Sequence, residues 1–346
     1  MFFSFSKDMG IDLGTANTLI YFEDKIILNE PSVIAIETYT GKLVAVGSEA
    51  KEMLGRNPEN IRVVRPLEEG VISDFDMTAQ MLSEFIKIGL GSNRTGNKLR
   101  VVIGVPSGVT EVEKRAVEDV IRPLGAREVY VLEEPMAAAI GSGLAVANSE
   151  GCMICDIGGG TTDIAIIALG GIVSSVSIRH AGDKLDDAIV SYMRKIHGLH
   201  IGNRMAEELK MTIGCAQLDD EEAFHSPKTA NARGRDAVTG LPKTVVVTSQ
   251  DMQRALEDSI DVIIDGIKAT LDSCPPELAA DIVNNGLVLA GGVGLMRNLD
   301  KLISQRTGMS VRIAENPFEA VVMGTGIALK NIEQLRDYIR NRAKRS

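Results

Sequence analysis

A chain of 346 residues, 45% hydrophobic and 24% charged, has ample apolar content for a soluble globular fold and is long enough for two domains. Its net charge of −10 argues against nucleic acid as a main partner, because a phosphate backbone calls for a basic face. Four cysteines make no disulfide framework, no apolar run is long enough to span a bilayer and no signal peptide opens the chain, so a reducing, cytoplasmic setting is expected.

Three of the eight phenylalanines, Phe2, Phe3 and Phe5, crowd the first five residues ahead of Lys7. The segment is too short for an isolated helix. An aromatic end followed by a cation suits a bilayer interface when many copies act together, and a strand lead tucked into the core is the other reading. From Met9 and Ile11 the chain runs through Asp12-Leu13-Gly14-Thr15-Ala16-Asn17-Thr18 into Leu19-Ile20-Tyr21-Phe22, a pattern of strand, tight turn, strand. Residues 33–66 read as a small inserted subdomain with strands near 31–36 and 43–47. Residues 71–89 read as a helix with Met77, Met81, Leu82, Phe85, Ile86 and Ile88 on its apolar face, and 89–98 as a polar loop.

Residues 101–106 are expected to form a buried parallel-type strand, and Thr110-Glu111-Val112-Glu113 opens a helix with a capping pattern. A short strand at 128–132 leads to Glu133-Glu134-Pro135 and a run of small residues to 143. An acid ahead of a helix-opening proline lies at a strand end, where open α/β sheets place ligands, although it also answers the helix dipole.

The apolar run Cys152-Met153-Ile154-Cys155 enters Asp156-Ile157-Gly158-Gly159-Gly160-Thr161-Thr162-Asp163, and a second apolar run follows. Consecutive glycines let backbone N–H groups crowd an anion, the threonines add hydroxyl donors, and the flanking acids can hold a hydrated Mg²⁺. An ordinary glycine-rich turn would carry the same letters. The weaker copy at 12–18 tips the balance, since two like hairpins imply two like half-molecules able to clasp the β and γ phosphates of one nucleotide. Cys152 and Cys155, three apart on a strand, point to opposite faces and read as core rather than as a redox or zinc pair. His197 and His200 lack companions for a metal set and read as a solvated turn.

Helices are expected at 183–197 and 204–216, with Glu207 and Lys210 one turn apart, then an exposed polar excursion at 217–242 and a long amphipathic helix at 249–274. Residues 285–295 read as a strand ending in Leu289-Ala290-Gly291-Gly292-Val293-Gly294, whose glycines allow flat approach of a base or sugar. The last helix, from 317 to about 341, has Gly324 and Gly326 near its start and ends in a solvated, dipole-matched tail with Arg340, Arg342, Lys344 and Arg345.

In order and spacing these parts resemble the actin, sugar-kinase and heat-shock ATPase superfamily. More narrowly, Gly10-Ile11-Asp12-Leu13-Gly14-Thr15-Ala16-Asn17-Thr18, Val105-Pro106-Ser107-Gly108, Glu133-Glu134-Pro135-Met136-Ala137-Ala138-Ala139-Ile140-Gly141, the stretch 156–162 and Ala290-Gly291-Gly292 resemble the MreB family of bacterial actins over almost the whole chain. The resemblance implies an α/β, actin-like ATPase fold of two related domains, each a mixed β-sheet flanked by helices, with a nucleotide cleft between them. Domain I would span 1–145, with its insert at about 33–66 and its completion by 317–346. Domain II would span 146–316, with an insert at about 182–244.

The same resemblance implies ATP and Mg²⁺ as cofactors. Asp12 and Asp156 would hold the ion through water, while Gly14, Thr15, Ala16 and Asn17, with Gly158, Gly159 and Gly160, would cradle the phosphates. Glu134 would orient or deprotonate the attacking water, with Thr161 as its partner. Glu207 and Lys210 would contact ribose and adenine, and Gly291, Gly292 and Val293 would line the adenosine pocket. Placement and charge cancellation are what phosphoryl transfer to water needs most.

The implied function is a slow ATPase coupled to self-assembly into paired filaments on the inner face of the cytoplasmic membrane. There it would act with membrane-bound cell-shape and wall-synthesis proteins to give rod shape. Two departures stand out: the first phosphate loop lacks the lysine of eukaryotic actin, and the 89–98 loop lacks the apolar pair that some members insert into lipid. Phe2, Phe3 and Phe5 are therefore the membrane candidates. A metabolic kinase of the same superfamily would need an acid dedicated to the acceptor beyond Glu134, and a chaperone ATPase would need a further peptide-binding domain.

Overall fold

The computed structural model describes residues 7–91, 99–219 and 226–331. Two five-stranded mixed sheets organise them. In the first, Lys7–Leu13 pairs antiparallel with Asn17–Phe22, which pairs antiparallel with Lys25–Pro31. On its other side Lys7–Leu13 runs parallel to Leu99–Val105, itself parallel to Ala126–Glu133. A parallel neighbour requires a crossover, and the helix Glu111–Ile121 supplies one, opened by a reciprocal capping box between Thr110 and Glu113.

The second sheet repeats this plan. Cys152–Ile157, Thr162–Ala168 and Gly171–Ile178 form the antiparallel meander, and Leu287–Ala290 and Val311–Ile313 extend it in parallel. Every residue of Cys152–Ile157 and Thr162–Ala168 is buried, which is why both read as unbroken apolar runs. Cys155 joins the core on one face and Cys152 the core on the other, as a spacing of three on a strand demands.

A third core ties the sheets together, with Val102 and Leu132 from the first and Ile154, Ala165 and Val288 from the second. Through it cross the helices Glu134–Gly141 and Ala320–Lys330. Their backbones touch: a Cβ on Gly324 would lie 1.8 Å from the carbonyl oxygen of Ala137. Apart from these, Ile34–Glu37, Leu43–Val46 and Ile61–Val64 form a small sheet that encloses Val33, Ala35, Ala45 and Ala50 with the helix Gly47–Met53.

Several elements differ from expectation. The helix expected from residue 71 begins at Phe75, because the Asp74 carboxylate caps it by accepting the Met77 N–H at 3.1 Å, and Val71–Ile72 instead pairs with Leu67–Glu68. Ile88, assigned to its apolar face, is exposed. The excursion at 217–242 contains Thr229–Asp236, which pairs antiparallel with Pro242–Thr248, so tertiary pairing overrode a polar composition. Of 285–295 only Leu287–Ala290 is strand; Asn285 ends the helix Pro276–Asn285, and Val293–Leu295 is a 3-10 turn.

His197 and His200 are half-buried rather than in a solvated turn, with His197 Nε2 3.5 Å from Asp251 and its ring tilted against Tyr192. Phe2, Phe3, Phe5, residues 92–98 of the polar loop and the basic tail from Arg340 lie outside the described residues.

Candidate functional site

The two glycine turns meet. Leu13 pairs with Thr18 and leaves residues 14–17 as the first loop, and Ile157 pairs with Thr162 and leaves 158–161 as the second. A Cβ on Gly159 would lie 2.5 Å from the Cβ of Ala16, and one on Gly160 2.4 Å from Thr15 Oγ1, so only glycine lets the loops come this close. Gly158 and Gly159 turn their carbonyls toward the start of the helix Gly182–His197, accepting the Gly182 N–H at 3.1 Å and the Asp183 N–H at 2.8 Å.

The N–H groups of Thr15, Ala16, Gly159 and Gly160 donate to no backbone carbonyl among the described residues. Unspent amides from two facing loops make an anion cradle. Asn17 closes the first loop, its amide donating to Asn29 at 3.1 Å, and the Thr15 hydroxyl accepts the Gly70 N–H at 2.9 Å.

Four acids gather beside the loops. Asp12 ends the first strand, Glu134 opens its helix after Ala126–Glu133, and Asp156 and Asp163 face each other across the second hairpin. Glu134, Asp156 and Asp163 are buried, and Thr161 is buried beside them. Loss of water pushes all four carboxyls up: Asp12 to about 7, Asp163 to about 6, and Glu134 and Asp156 well above the carboxylate range. Repulsion adds to this, from Asp163, Asp12 and Asp156 on Glu134, and from Asp12 and Asp163 on Asp156. Asp163 is held back from a larger rise by the Ser107 N–H, which donates to its Oδ1 at 2.7 Å. Among the described residues no three acidic, histidine or cysteine side chains stand close enough to hold a bare metal ion.

The flank of the cradle belongs to Gly182. Its carbonyl accepts from Lys210 Nζ at 2.9 Å, and a Cβ on it would touch Val293. Lys210 also pairs with Asp186 at 2.9 Å, and burial pushes that carboxyl up to about 6. Gly291 donates its N–H to Pro317 at 2.7 Å, and Gly292 lies exposed beside the Phe318 ring. Glu207 faces elsewhere: both its oxygens lie on Lys51, at 2.8 and 2.9 Å, a residue of the helix Gly47–Met53 across the cleft.

Sequence reasoning offered Asp163 only as a flanking acid able to hold a hydrated ion, and gave no role to Ser107, Gly182, Asp186 and Lys51. For Asp163 a signal existed, since a turn closed by Ile157 and Thr162 puts Asp156 opposite Asp163 by counting. Nothing along the chain pairs Lys51 with Glu207.

Two sheets of one plan, joined through a crossing helix pair and bringing two glycine hairpins face to face, define an actin-like ATPase fold. The solved structure of MreB 5 of Spiroplasma citri bound to AMPPNP matches it with a TM-score of 0.88 at 36% identity, over 96% of this chain and 98% of that one. The chain belongs to the MreB/Mbl protein family, whose model matches residues 6–337. It is 44% identical over 332 residues to the cell shape-determining protein Mbl of Bacillus subtilis (strain 168), covering 96% of this chain and 98% of the relative. To the cell shape-determining protein MreB of Escherichia coli (strain K12) it is 45% identical over 334 residues, covering 95% of each.

Proposed function

We propose that the chain binds ATP with Mg²⁺ between its two hairpins, hydrolyses it slowly, and assembles into paired filaments on the inner face of the cytoplasmic membrane that set rod shape by organising wall synthesis. The observation that carries the reading is the meeting of Gly159 and Gly160 with Ala16 and Thr15 beside four crowded acids. Unspent amides there suit the β and γ phosphates.

Asp12 and Asp156 suit a hydrated divalent ion, held through its waters because no bare-ion site is formed among the described residues. When bound, the ion supplies charge cancellation. Glu134, whose carboxyl is raised by burial and then by its acidic neighbours, is suited to take a proton from water, with the Thr161 hydroxyl beside the second loop to place that water. Lys210 with Gly291, Gly292 and Val293 would line the nucleoside side, and Glu207 would share its carboxylate between Lys51 and the ribose. Family membership and the AMPPNP-bound neighbour support nucleotide use.

In this reading the domains divide near residue 145, with 317–346 returning to the first. Among the described residues no helix is long and apolar enough to cross a membrane, and in this reading lipid contact is made through Phe2, Phe3 and Phe5. The test is electron microscopy of purified protein on anionic liposomes with Mg-ATP, with phosphate release followed in parallel. Paired filaments on lipid and slow release that rises with assembly are expected. A protein that stays single and releases no phosphate overturns the reading.

A further inference from the structure

Beyond the hairpins, the two halves are joined by a line of ion pairs. Nearest the phosphate loops, Glu69 faces Lys184 at 3.4 Å and Arg179 at 3.5 Å. Next, Arg65, just after the strand Ile61–Val64, meets Asp183 in the first turn of Gly182–His197 at 3.1 Å. Farthest out, Lys51 on Gly47–Met53 grips both oxygens of Glu207 on Asn203–Ile213. In every pair one partner comes from residues 51–69 and the other from 179–207.

The small sheet that packs beside the Lys51 helix and leads to Arg65 has a core of its own on one face and buries Ile34 and Ile36 in the core of the first large sheet on the other, so it belongs to the first half. That half can shift as a body against the second, and these ion pairs are what tie its small lobe to the second half. The helix bearing Glu207 also bears Lys210, whose ammonium reaches the cradle through Gly182. Lys51 is thus linked through one helix to the floor of the cleft.

We propose that Lys51 and Arg65 are positioning residues for the bound nucleotide: they latch the small lobe onto the nucleoside side of the cleft, orient Glu207, and slow release of a purine nucleoside di- or triphosphate. This rests on the nucleotide-binding reading above. Each carboxylate oxygen has two lone pairs, so Glu207 can keep Lys51 while accepting a ribose hydroxyl. Loss of Lys51 frees Glu207 to swing and the lobe to open. All the pairs are about one-third or more exposed, so the latch weakens with salt.

The experiment follows release of a fluorescent ATP analogue from the full-length protein into excess unlabelled ATP, for the wild type, Lys51→Gln, Lys51→Arg, Arg65→Gln and the double Gln variant. With exposed pairs of this kind, each Gln variant should release about two- to fivefold faster and the double variant roughly five- to tenfold faster, with Lys51→Arg close to wild type. Wild-type release should quicken between about 0.05 and 0.5 M KCl, and the double variant should lose most of that dependence. A merely structural role would lower the melting temperature without changing the salt slope of release.

Equal release rates and equal salt slopes in the wild type and the double variant would overturn the latch while leaving nucleotide binding intact. A wild type that takes up no analogue would overturn the nucleotide reading and the latch with it.

Discussion

Asp156 and Asp163 stand directly opposite each other in the antiparallel ladder of the second hairpin, 7% and 1% exposed. Like charges at facing positions of a ladder repel, and burial removes the water that would screen them. The hairpin therefore folds against a local electrostatic cost that a proton or a cation relieves. The proposed hydrated cation would relieve that cost.

The pH dependence of stability carries this signature. Asp12 at about 7 and Asp163 at about 6, against 3.8 for an ordinary aspartate, mean that the folded protein holds more protons than the unfolded chain between those values. Stability then falls as pH rises through that window. His180 works the other way, since burial lowers its pKa, but it is one group against five raised acids, Asp186 included. Nucleotide-free protein should melt several degrees lower at about pH 7.5 than at about pH 5.5, and Mg-ATP should flatten the difference. Differential scanning fluorimetry decides; a melting temperature that climbs across this range without ligand counts against the crowded acids.

Asp163→Asn keeps the acceptor for the Ser107 N–H and removes the facing charge. Nucleotide-free stability should rise by about 1 kcal/mol or more, while phosphate release slows roughly tenfold or more as the field around Glu134 and the cation weakens. Urea melts and single-turnover release would show both, and a gain in stability with unchanged turnover would remove Asp163 from the chemistry.

Glu134→Gln should abolish most hydrolysis, by about 10²- to 10⁴-fold, with nucleotide affinity little changed. Its carboxyl is buried and ranks with Asp163, Asp12 and Asp156 in mutual repulsion, so the variant should also melt higher. Hydrolysis near the wild-type rate would exclude Glu134 as the base.

Gly324→Ala tests the helix crossing. Its Cβ would overlap the Ala137 carbonyl at 1.8 Å, backbone against backbone, which no rotamer can relieve. A loss of about 3 kcal/mol or more, or failure to fold, is expected. Gly202→Ala, with nothing within 4 Å of its Cβ, is the control and should stay within about 0.5 kcal/mol of the wild type.

Deleting residues 1–6 should abolish pelleting with anionic liposomes while sparing nucleotide binding, because it removes Phe2, Phe3 and Phe5 and leaves both glycine loops intact. Unchanged pelleting moves the lipid contact elsewhere on the surface.

Much of this protein could be read from the chain by itself. Glycines and hydroxyls after an apolar run, followed by another apolar run, determine a hairpin with a bare turn, and two such hairpins predict two like sheets; both follow from local sterics and burial. Boundaries that depend on a single cap, such as the start at Phe75, were less legible, and a polar strand such as Thr229–Asp236 was not, because its partner rather than its composition holds it. The family resemblance assigned Glu134, Asp12 and Asp156 to one site; only the tertiary structure decided that Asp163 crowds the other three, that the Gly324 helix lies on Ala137, and that Glu207 reaches across to Lys51. Those relations join residues distant along the chain, and charges and backbones set no preference between them until folding removes the water and distance that separate them.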